Sequence, residues 1–389
     1  MKKVRLGDIA TVITKGTTPT TLGYNFVDDG VNFVKIESIT ENGEFLTDKF
    51  AHITDECDRK LSRSHLQKND LLFSIAGAIG RTAIVTEEIL PANTNQALAI
   101  IRVPEGVVDY SYLKYVLQSP DIVEQFEKKK QGVAQLNISL KDIGDFVIPL
   151  RTAEEQKSIV ATMDKVSGLI AFRKEQLAKL DQLVKSRFVE MFENIITCSP
   201  KVFLEDISDF VTVGIANSAT HAYADDGIVM LRNQNIKENY LDDNDLIYIT
   251  PDFAGKYGSK QLAENDILVI RTGYPGVACL VPKKYEGCQT FTTLIVRLKD
   301  SSKVHANFVC HYINSSFGKD YVEQSKVGVA QQNFGAKALA KMPITVPSME
   351  LQAEFAEFTR QITEAKLTIQ SSLDKLELLK KSLMQEYFG

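Results

Sequence analysis

The strongest constraint on the fold is an internal duplication. Gly132-Val133-Ala134-Gln135 recurs 196 residues later as Gly328-Val329-Ala330-Gln331, and Asn69-Asp70 recurs at the same offset as Asn265-Asp266. A repeat this long indicates a duplicated domain, because stacked solenoid repeats recur every 20 to 50 residues or so. The sequence therefore predicts two domains of one fold, related by pseudo-twofold symmetry.

Each copy divides into a mixed region and a long helix. The first 150 or so residues of each copy alternate strand-like apolar runs, turn signals and shorter helical segments, such as Tyr112 to Lys129 and Phe308 to Glu323, which is an α+β pattern. The predicted globular domains are residues 1–150 and 198–347, and the predicted helices are residues 151–197 and 348–389.

Both predicted helices carry apolar residues at alternating spacings of four and three, which is typical of a coiled coil. In the first helix this ladder is Ile159, Met163, Val166, Ile170, Leu177, Leu180, Val184 and Met191. A helix of about 40 residues extends roughly 60 Å. Because a globular region separates the helices, we expect them to pair antiparallel rather than as a short parallel hairpin. The alternative is two unrelated helices, each packed on its own domain.

Composition restricts the class of protein. The chain is 44% hydrophobic and 24% charged, as in globular proteins, and it has no apolar stretch long enough to span a membrane and no signal-peptide core. We therefore expect a cytoplasmic protein. The net charge of −5 argues against a free-standing DNA-binding domain, which usually has a basic excess.

Catalytic and metal-binding patterns are missing from the sequence. It contains no G-x-S-x-G, H-E-x-x-H, P-loop or methyltransferase signature, and its five cysteines have no C-x-x-C spacing. We predict no enzyme activity in this chain alone, no metal site and no disulfide framework. For the carboxylates Glu37, Asp70 and Asp266 we expect a solvated surface or a turn-capping role.

The order of motifs resembles the specificity subunit of type I restriction-modification enzymes over nearly the whole chain. The resemblance is most specific at Gly132 to Ser139, Ile148-Pro149-Leu150 and Glu155-Gln156, followed by a long helix. This order is similar to the family's junction between a target recognition domain and a conserved spacer helix. The second copy, Gly328 to Asn333, departs from the first where Phe334-Gly335 replaces Ile138-Ser139.

The resemblance implies a non-catalytic subunit with two tandem target recognition domains. Each domain would recognise one half of a bipartite, asymmetric sequence in double-stranded DNA, and the helices would set the spacing and dock two modification (methyltransferase) subunits. It implies no cofactor in this chain. S-adenosylmethionine is implied for the modification subunits, and ATP and Mg for restriction subunits that translocate and cut DNA. These partners would supply much of the phosphate neutralisation.

Base recognition in the major groove favours Arg or Lys on guanine and Asn or Gln on adenine. Candidates in polar loops of the first domain are Lys15, Thr17, Thr18, Lys35, Arg81, Asn93, Asn95 and Gln96. Candidates in the second domain are Arg232, Asn233, Gln234, Asn235, Arg271, Thr272, Tyr274 and Gln289. A turn or solvated role is the alternative for each residue.

Two further features have both a functional and a structural interpretation. The Gly-rich segments 77–81 and 273–276 occupy equivalent positions and permit close approach to a phosphate or to another strand. For Gln135 and Gln331, beside the long helices, a structural hydrogen bond is favoured over a DNA contact.

Two other classes of function remain open from the sequence. One is a coiled-coil adaptor that binds only protein, and the other is a self-contained methyltransferase or nuclease with diverged motifs. Methylation of DNA by the purified chain alone would favour the enzyme. Loss of target choice after exchange of residues 1–150 would argue against the adaptor.

Overall fold

The computed structural model describes residues 2–128, 137–216, 219–300, 303–326 and 333–389. Contacts divide the chain into two compact units. The first unit comprises Met1–Lys174 and Ser371–Gly389, and the second comprises Glu175–Gln370. Each unit therefore contains one globular domain and one part of each long helix.

The first unit contains nine strands and five short helices among its described residues, and the first long helix begins in it. In chain order these elements are β1 Lys2–Arg5, α1 Leu6–Ile9, β2 Val12–Lys15, β3 Val31–Val34, β4 Ala51–Ile53, α2 Asp55–Lys60, β5 Leu71–Ser74, β6 Thr82–Ile84, β7 Ala92–Thr94, β8 Leu98–Arg102, α3 Tyr110–Leu117, α4 Pro120–Glu127, α5 Leu140–Gly144, β9 Val147–Leu150 and α6 Ala153–Cys198.

Three sheets organise these strands. The four-stranded sheet has the order β2-β8-β5-β6 and is antiparallel throughout. The three-stranded sheet has the order β4-β3-β7, and its β3 and β7 run parallel. Strands β1 and β9 form an antiparallel pair.

The second unit repeats this plan with the elements β10 Val202–Phe203, β11 Ser208–Val213, β12 Tyr223–Ala224, β13 Ile228–Leu231, β14 Ile236–Lys237, β15 Tyr240–Leu241, β16 Ile247–Ile249, α7 Pro251–Gly255, β17 Ile267–Val269, β18 Ala278–Leu280, β19 Gln289–Thr290, β20 Leu294–Leu298, α8 Ala306–Asn314, α9 Ser316–Ser325, α10 Ala336–Ala340, β21 Pro343–Ile344 and α11 Met349–Phe388. Its main sheet has the order β11-β20-β17-β18, and β13 runs parallel to β19. The prediction of two tandem α+β domains is confirmed.

The long helices α6 and α11 run antiparallel within each unit. In the first unit Arg151 Nη2 donates to the Tyr387 carbonyl at 2.8 Å, and Lys174 lies 3.0 Å from Glu377. From one of these contacts to the next, the residue number rises in α6 and falls in α11. In the second unit the pairs Asp181–Lys366 (2.5 Å) and Arg187–Glu354 (2.7 Å) follow the same rule. These pairs confirm the predicted antiparallel arrangement.

The C-terminal ends of both helices enter a globular core, which the predicted ladder does not show. Phe192 and Ile196 of α6 are buried in the second unit, although α6 follows the first globular domain in sequence. Met384 and Phe388 of α11 are buried in the first unit. A strict ladder would instead bury Met191, which is only partly covered. Because an α-helix has 3.6 residues per turn, its buried face drifts from a heptad pattern over several turns.

Two of the predicted shorter helices are each divided in two. Helix α3 ends at Leu117, and α4 starts at Pro120 with Ser119 as the N-cap. In the second unit Ser315 caps α9 directly after α8. Ser before Pro is a common helix start, and it explains the break in the first copy. Lys129, the predicted end of the first segment, lies outside the described residues.

For Asp70 and Asp266 the structure shows the expected turn capping, but both lie in the interior and not on a solvated surface. Both carboxylates are buried, and each forms a bidentate ion pair through Nε and Nη2 of an arginine. Asp70 pairs with Arg102 at 2.6 and 2.7 Å, and Asp266 pairs with Arg297 at 2.7 and 2.6 Å. These hydrogen bonds raise the pKa of both guanidinium groups. Asp70 and Asp266 also accept a backbone N–H within their own turns, so capping is one part of their role.

In the part of the chain that the structure describes, no helix is both long and apolar enough to cross a membrane.

Candidate nucleic-acid interface

In the first unit, polar loops gather where two parallel strands end. Val34 of β3 lies opposite Thr94 of β7, so Lys35 and Asn95 leave the sheet at the same edge. The loop after β2 joins them, since the Gly16 N–H donates to the Asn95 carbonyl at 3.1 Å. Three chain segments that are distant in sequence therefore form one polar edge.

The approach between these segments requires glycine. A Cβ added to Gly16 would lie 1.7 Å from the Thr94 carbonyl oxygen, and a Cβ added to Gly214 would lie 2.4 Å from that of Thr290. No side chain fits at such distances. The same junction is thus built at equivalent positions in both units.

Part of the predicted set lies at this edge and keeps exposed surface, namely Lys15, Thr17, Thr18, Lys35 and Gln96. Thr18 Oγ1 donates to Gln96 Oε1 at 2.5 Å, which connects two of the loops. The Lys35 ammonium lies 4.2 Å from the centre of the Phe26 ring, a distance that favours a cation–π contact. Asn95 is partly buried, and its side-chain oxygen accepts the Ala97 N–H at 3.0 Å.

Arg81 ties the Gly-rich hairpin between β5 and β6 to the turn that follows β3. Its Nη1 donates to the carbonyls of Ile39 (2.7 Å) and Ile36 (3.3 Å). These bonds hold the 3-10 turn Ile36–Ser38 against the hairpin. Arg81 therefore positions this turn, and its Nη1 is already occupied by protein.

Asn93 and Gln289 are equivalent residues of the parallel strands β7 and β19, and both are fully buried. Asn93 Nδ2 donates to the Asp58 carboxylate (2.9 Å) and the Leu61 carbonyl (3.2 Å). Gln289 Nε2 donates to the carbonyls of Ala254 and Tyr257, both at 2.9 Å. Each amide fastens to the sheet the helix that follows β4 or β16, a strand two places away in the same sheet. Neither side chain is therefore available at the surface for a base contact.

A matching turn follows β13 in the second unit. Asn235 is fully buried and accepts the Arg232 N–H at 3.0 Å, as Ser38 accepts the Lys35 N–H at 3.4 Å in the first unit. Asn235 Nδ2 also donates to the Asn244 carbonyl at 2.9 Å. Asn235 is thus a structural cap, and its side chain is not available at the surface for a base contact. Lys35 and Arg232, both basic, occupy the same position in the two turns.

The remaining residues of the second set meet at the hairpin between β17 and β18. Asn233 Nδ2 donates to the carbonyl and hydroxyl of Thr272 at 3.2 and 3.3 Å, and Arg271 Nε donates to Asn333 Oδ1 at 3.0 Å. Tyr274, at the hairpin tip, is 82% exposed, which makes it the most exposed large apolar side chain of the described residues. Gln234 is exposed beside this hairpin.

Asp245 is a residue of this site that sequence reasoning missed. Its carboxylate accepts from Arg232 Nη2 (3.0 Å) and from Gln234 Nε2 (2.5 Å). Asp245 lies 11 residues beyond Gln234 in an acidic turn, and no local pattern marks it among the neighbouring carboxylates. A contact of this kind depends on the folded loop.

The repeated motif that defines the duplication lies mostly outside the described residues, including Gln135 and Gln331. The residues just after it are described. Asn137 pairs with Ala76, and Asn333 pairs with Thr272, as isolated antiparallel bridges. In both units the end of the motif therefore contacts the Gly-rich hairpin.

Known proteins share both the sequence pattern and the fold. The family model described as type I restriction modification DNA specificity domain matches residues 1–182 and 201–378. The EcoBI specificity subunit of Escherichia coli is 30% identical over 177 residues, which cover 44% of this chain and 36% of that protein. This chain thus aligns with about a third of that relative's length.

Two solved structures have a similar fold. The first is a structure that describes complex assembly and conformational transition of the type I R-M system. Its TM-score is 0.60 at 17% identity, and the match covers 99% of this chain and 96% of that chain. The second is the type I restriction-modification S subunit from M. genitalium, with a TM-score of 0.53 at 13% identity, covering 100% and 96%. Because the family model matches both halves and most of the chain, this chain belongs to the type I restriction-modification DNA specificity family.

Proposed function

We propose that this chain is the non-catalytic sequence-specificity subunit of a type I restriction-modification complex. Each unit recognises one half of a bipartite, asymmetric target in double-stranded DNA. The observation that carries the proposal is a duplicated polar edge with unequal side chains. The scaffold of the edge is the same in both units, whereas Lys35 is replaced by Arg232 and Glu37 by Gln234. Such a pair of sites suits two different half-sites, since base identity is discriminated by the side chains in the groove.

The proposed interface contains the candidates that retain exposed surface. In the first unit these are Lys15, Thr17, Thr18, Lys35, Arg81 and Gln96, with Asn95 at the margin. In the second unit they are Arg232, Asn233, Gln234, Arg271, Thr272 and Tyr274. In the proposal the Gly-rich hairpins beside them approach the DNA backbone closely, which glycine permits.

The acidic net charge supports a role inside a larger assembly. A chain with a net charge of −5 provides little of the phosphate neutralisation that drives DNA affinity. We propose that two modification subunits bind S-adenosylmethionine and enclose the DNA, and that restriction subunits use ATP and Mg. This chain takes no cofactor in the proposal. Its long helices dock the modification subunits and set the length of the unread segment.

The test is the methylation pattern of host DNA, determined by sequencing of modified bases. A host that carries the chain with its modification partner should show a bipartite methylated motif, and deletion of the chain should abolish it. Exchange of residues 1–150 for the corresponding domain of another family member should change one half of the motif only.

Two other results would contradict the proposal. Unchanged methylation after deletion would favour a protein-binding adaptor. Methylation of DNA by the purified chain with labelled S-adenosylmethionine, in the absence of any partner, would show that the chain is itself an enzyme.

A further inference from the structure

Asp245 fixes the orientation of the exposed Gln234 amide. The Gln234 side-chain nitrogen lies 2.5 Å from Asp245 Oδ2. A carboxylate at neutral pH only accepts hydrogen bonds, so the amide atom facing it is the nitrogen donor and not the oxygen. The carbonyl oxygen of Gln234 therefore points away from Asp245.

Arg232 donates to the same carboxylate oxygen of Asp245, Oδ2, and holds it in place. Its Nη2 donates to the Asp245 carbonyl at 2.5 Å and to the carboxylate at 3.0 Å, while its Nε is buried. A bidentate contact with guanine needs two free neighbouring N–H groups of the guanidinium. In this arrangement Arg232 uses its N–H groups to hold Asp245, and the side chain that is exposed for a base contact is that of Gln234.

The free atoms of Gln234 match one base. Gln234 uses one N–H on Asp245, which leaves its Oε1 and its second N–H without a protein partner among the described residues. In the major groove adenine presents an N6 donor next to an N7 acceptor, and a glutamine amide binds this pair with one oxygen and one N–H. Cytosine offers only the donor, and guanine offers two acceptors.

We propose that Gln234 recognises an adenine in the half-site of the second unit through N6 and N7. Asp245 is the positioning residue that sets the amide, and Arg232 holds Asp245. The inference rests on the proposed function and specifies the base that one residue of its interface recognises.

The first unit has a different arrangement at the same place. Glu37 stands where the second unit has Gln234, and Lys35 contacts the Phe26 ring instead of a carboxylate. A carboxylate cannot make the paired contact with adenine, because it has no N–H. At this position of the fold, an adenine contact is therefore expected from the second unit only.

The test uses the complex of the full chain with its modification subunit. Methylation rates are compared for duplexes that carry each of the four base pairs at every position of the target. Gln234→Ala should reduce discrimination at one A·T position by about 5- to 150-fold, the range for one bidentate base contact. That position should lie in the half that is unaffected by exchange of residues 1–150.

Asp245→Ala should relax the same position, with the other positions unchanged. The matched control is Glu286→Ala, which removes an exposed carboxylate of the same unit and makes the same change in net charge. It should leave the motif intact. An unchanged thermal unfolding midpoint for the variants would establish that the effect on base choice does not come from misfolding.

Each outcome has a distinct meaning. If Gln234→Ala leaves every position unchanged, or relaxes a G·C position, the adenine assignment is wrong while the proposed function stands. If Gln234→Ala relaxes an A·T position and Asp245→Ala does not, the positioning role of Asp245 is wrong. A wild-type complex that directs no bipartite methylation would overturn both the inference and the proposed function.

Discussion

Phe388 lies at the end of the last helix, yet it completes the core of the first unit. Its ring is 2% exposed and contacts Tyr112 edge to face, with 5.5 Å between the ring centres. Replacement by Ala removes most of the roughly 150 Å² or more of apolar surface that a buried Phe contributes, which corresponds to about 4 kcal/mol at 25 cal/mol per Å². Measured costs for Phe→Ala in cores, about 3–5 kcal/mol, agree.

The expected loss is confined to one unit. Hydrogen exchange read peptide by peptide gives the free energy of local opening for each segment. Phe388→Ala should lower protection in residues 1–174 and 371–389 and leave residues 175–370 near wild type. Phe192→Ala, at the equivalent place in the first long helix, should do the reverse, because Phe192 is buried in the second unit.

The control for Phe388 is Leu378→Ala on the same helix in the same unit. Leu378 is 68% exposed, so its removal should change stability by less than about 0.5 kcal/mol. Equal losses in both units after Phe388→Ala, or a loss no larger than that of Leu378→Ala, would refute the assignment of the helix end to the first core.

Three further predictions follow from charges. Asp70→Ala should lower the free energy of unfolding of the first unit by about 3–5 kcal/mol in denaturant titration, because it leaves the largely covered Arg102 charge without its carboxylate. The control Glu87→Ala, which breaks an exposed ion pair, should cost less than about 1 kcal/mol. Equal costs for the two variants would contradict the argument. Burial between aromatic rings lowers the pKa of His311 from 6.5 to about 4, so the folded state favours the neutral imidazole. The free energy of unfolding should therefore contain the full contribution of His311 above pH 6.5 and should fall by at most about 3 kcal/mol as the pH drops towards 4. His311→Phe should remove this component from the pH profile, and an unchanged profile would count against it. The purified chain alone should bind target DNA only in the nonspecific range, about 1–100 μM at physiological salt, and a tight, salt-resistant complex in a titration would contradict this.

The sequence predicts the architecture well where the signal is periodic or repeated. The duplication, the α+β class and the antiparallel long helices all rest on patterns spread over many residues. The core role of Phe388 could not be predicted in this way. Phe192 and Phe388 are visible as an equivalent pair, but a repeat does not say which surface a side chain contacts.

The site is predicted less completely, because polarity in a loop does not reveal burial. Asn93 and Gln289 have the residue types that bind adenine, yet both satisfy carbonyl or carboxylate groups inside the fold. Asp70 and Arg102 lie 32 residues apart, so spacing alone does not pair them. Each of these contacts depends on strands brought together by tertiary structure.

The two units also show how one scaffold can accommodate different targets. Thr94 and Thr290 donate to the equivalent carbonyl of the adjacent parallel strand, at 2.8 and 3.1 Å, and so fix the edge in the same way. Past that edge, Glu37 and Gln234 occupy one position with different hydrogen-bonding groups, and the exposed Tyr274 stands where the first unit has a small residue. The buried contacts resist change, because an unpaired polar group in the interior costs about 1–3 kcal/mol. The exposed positions have no such cost, so substitutions there can change base preference while the fold is preserved.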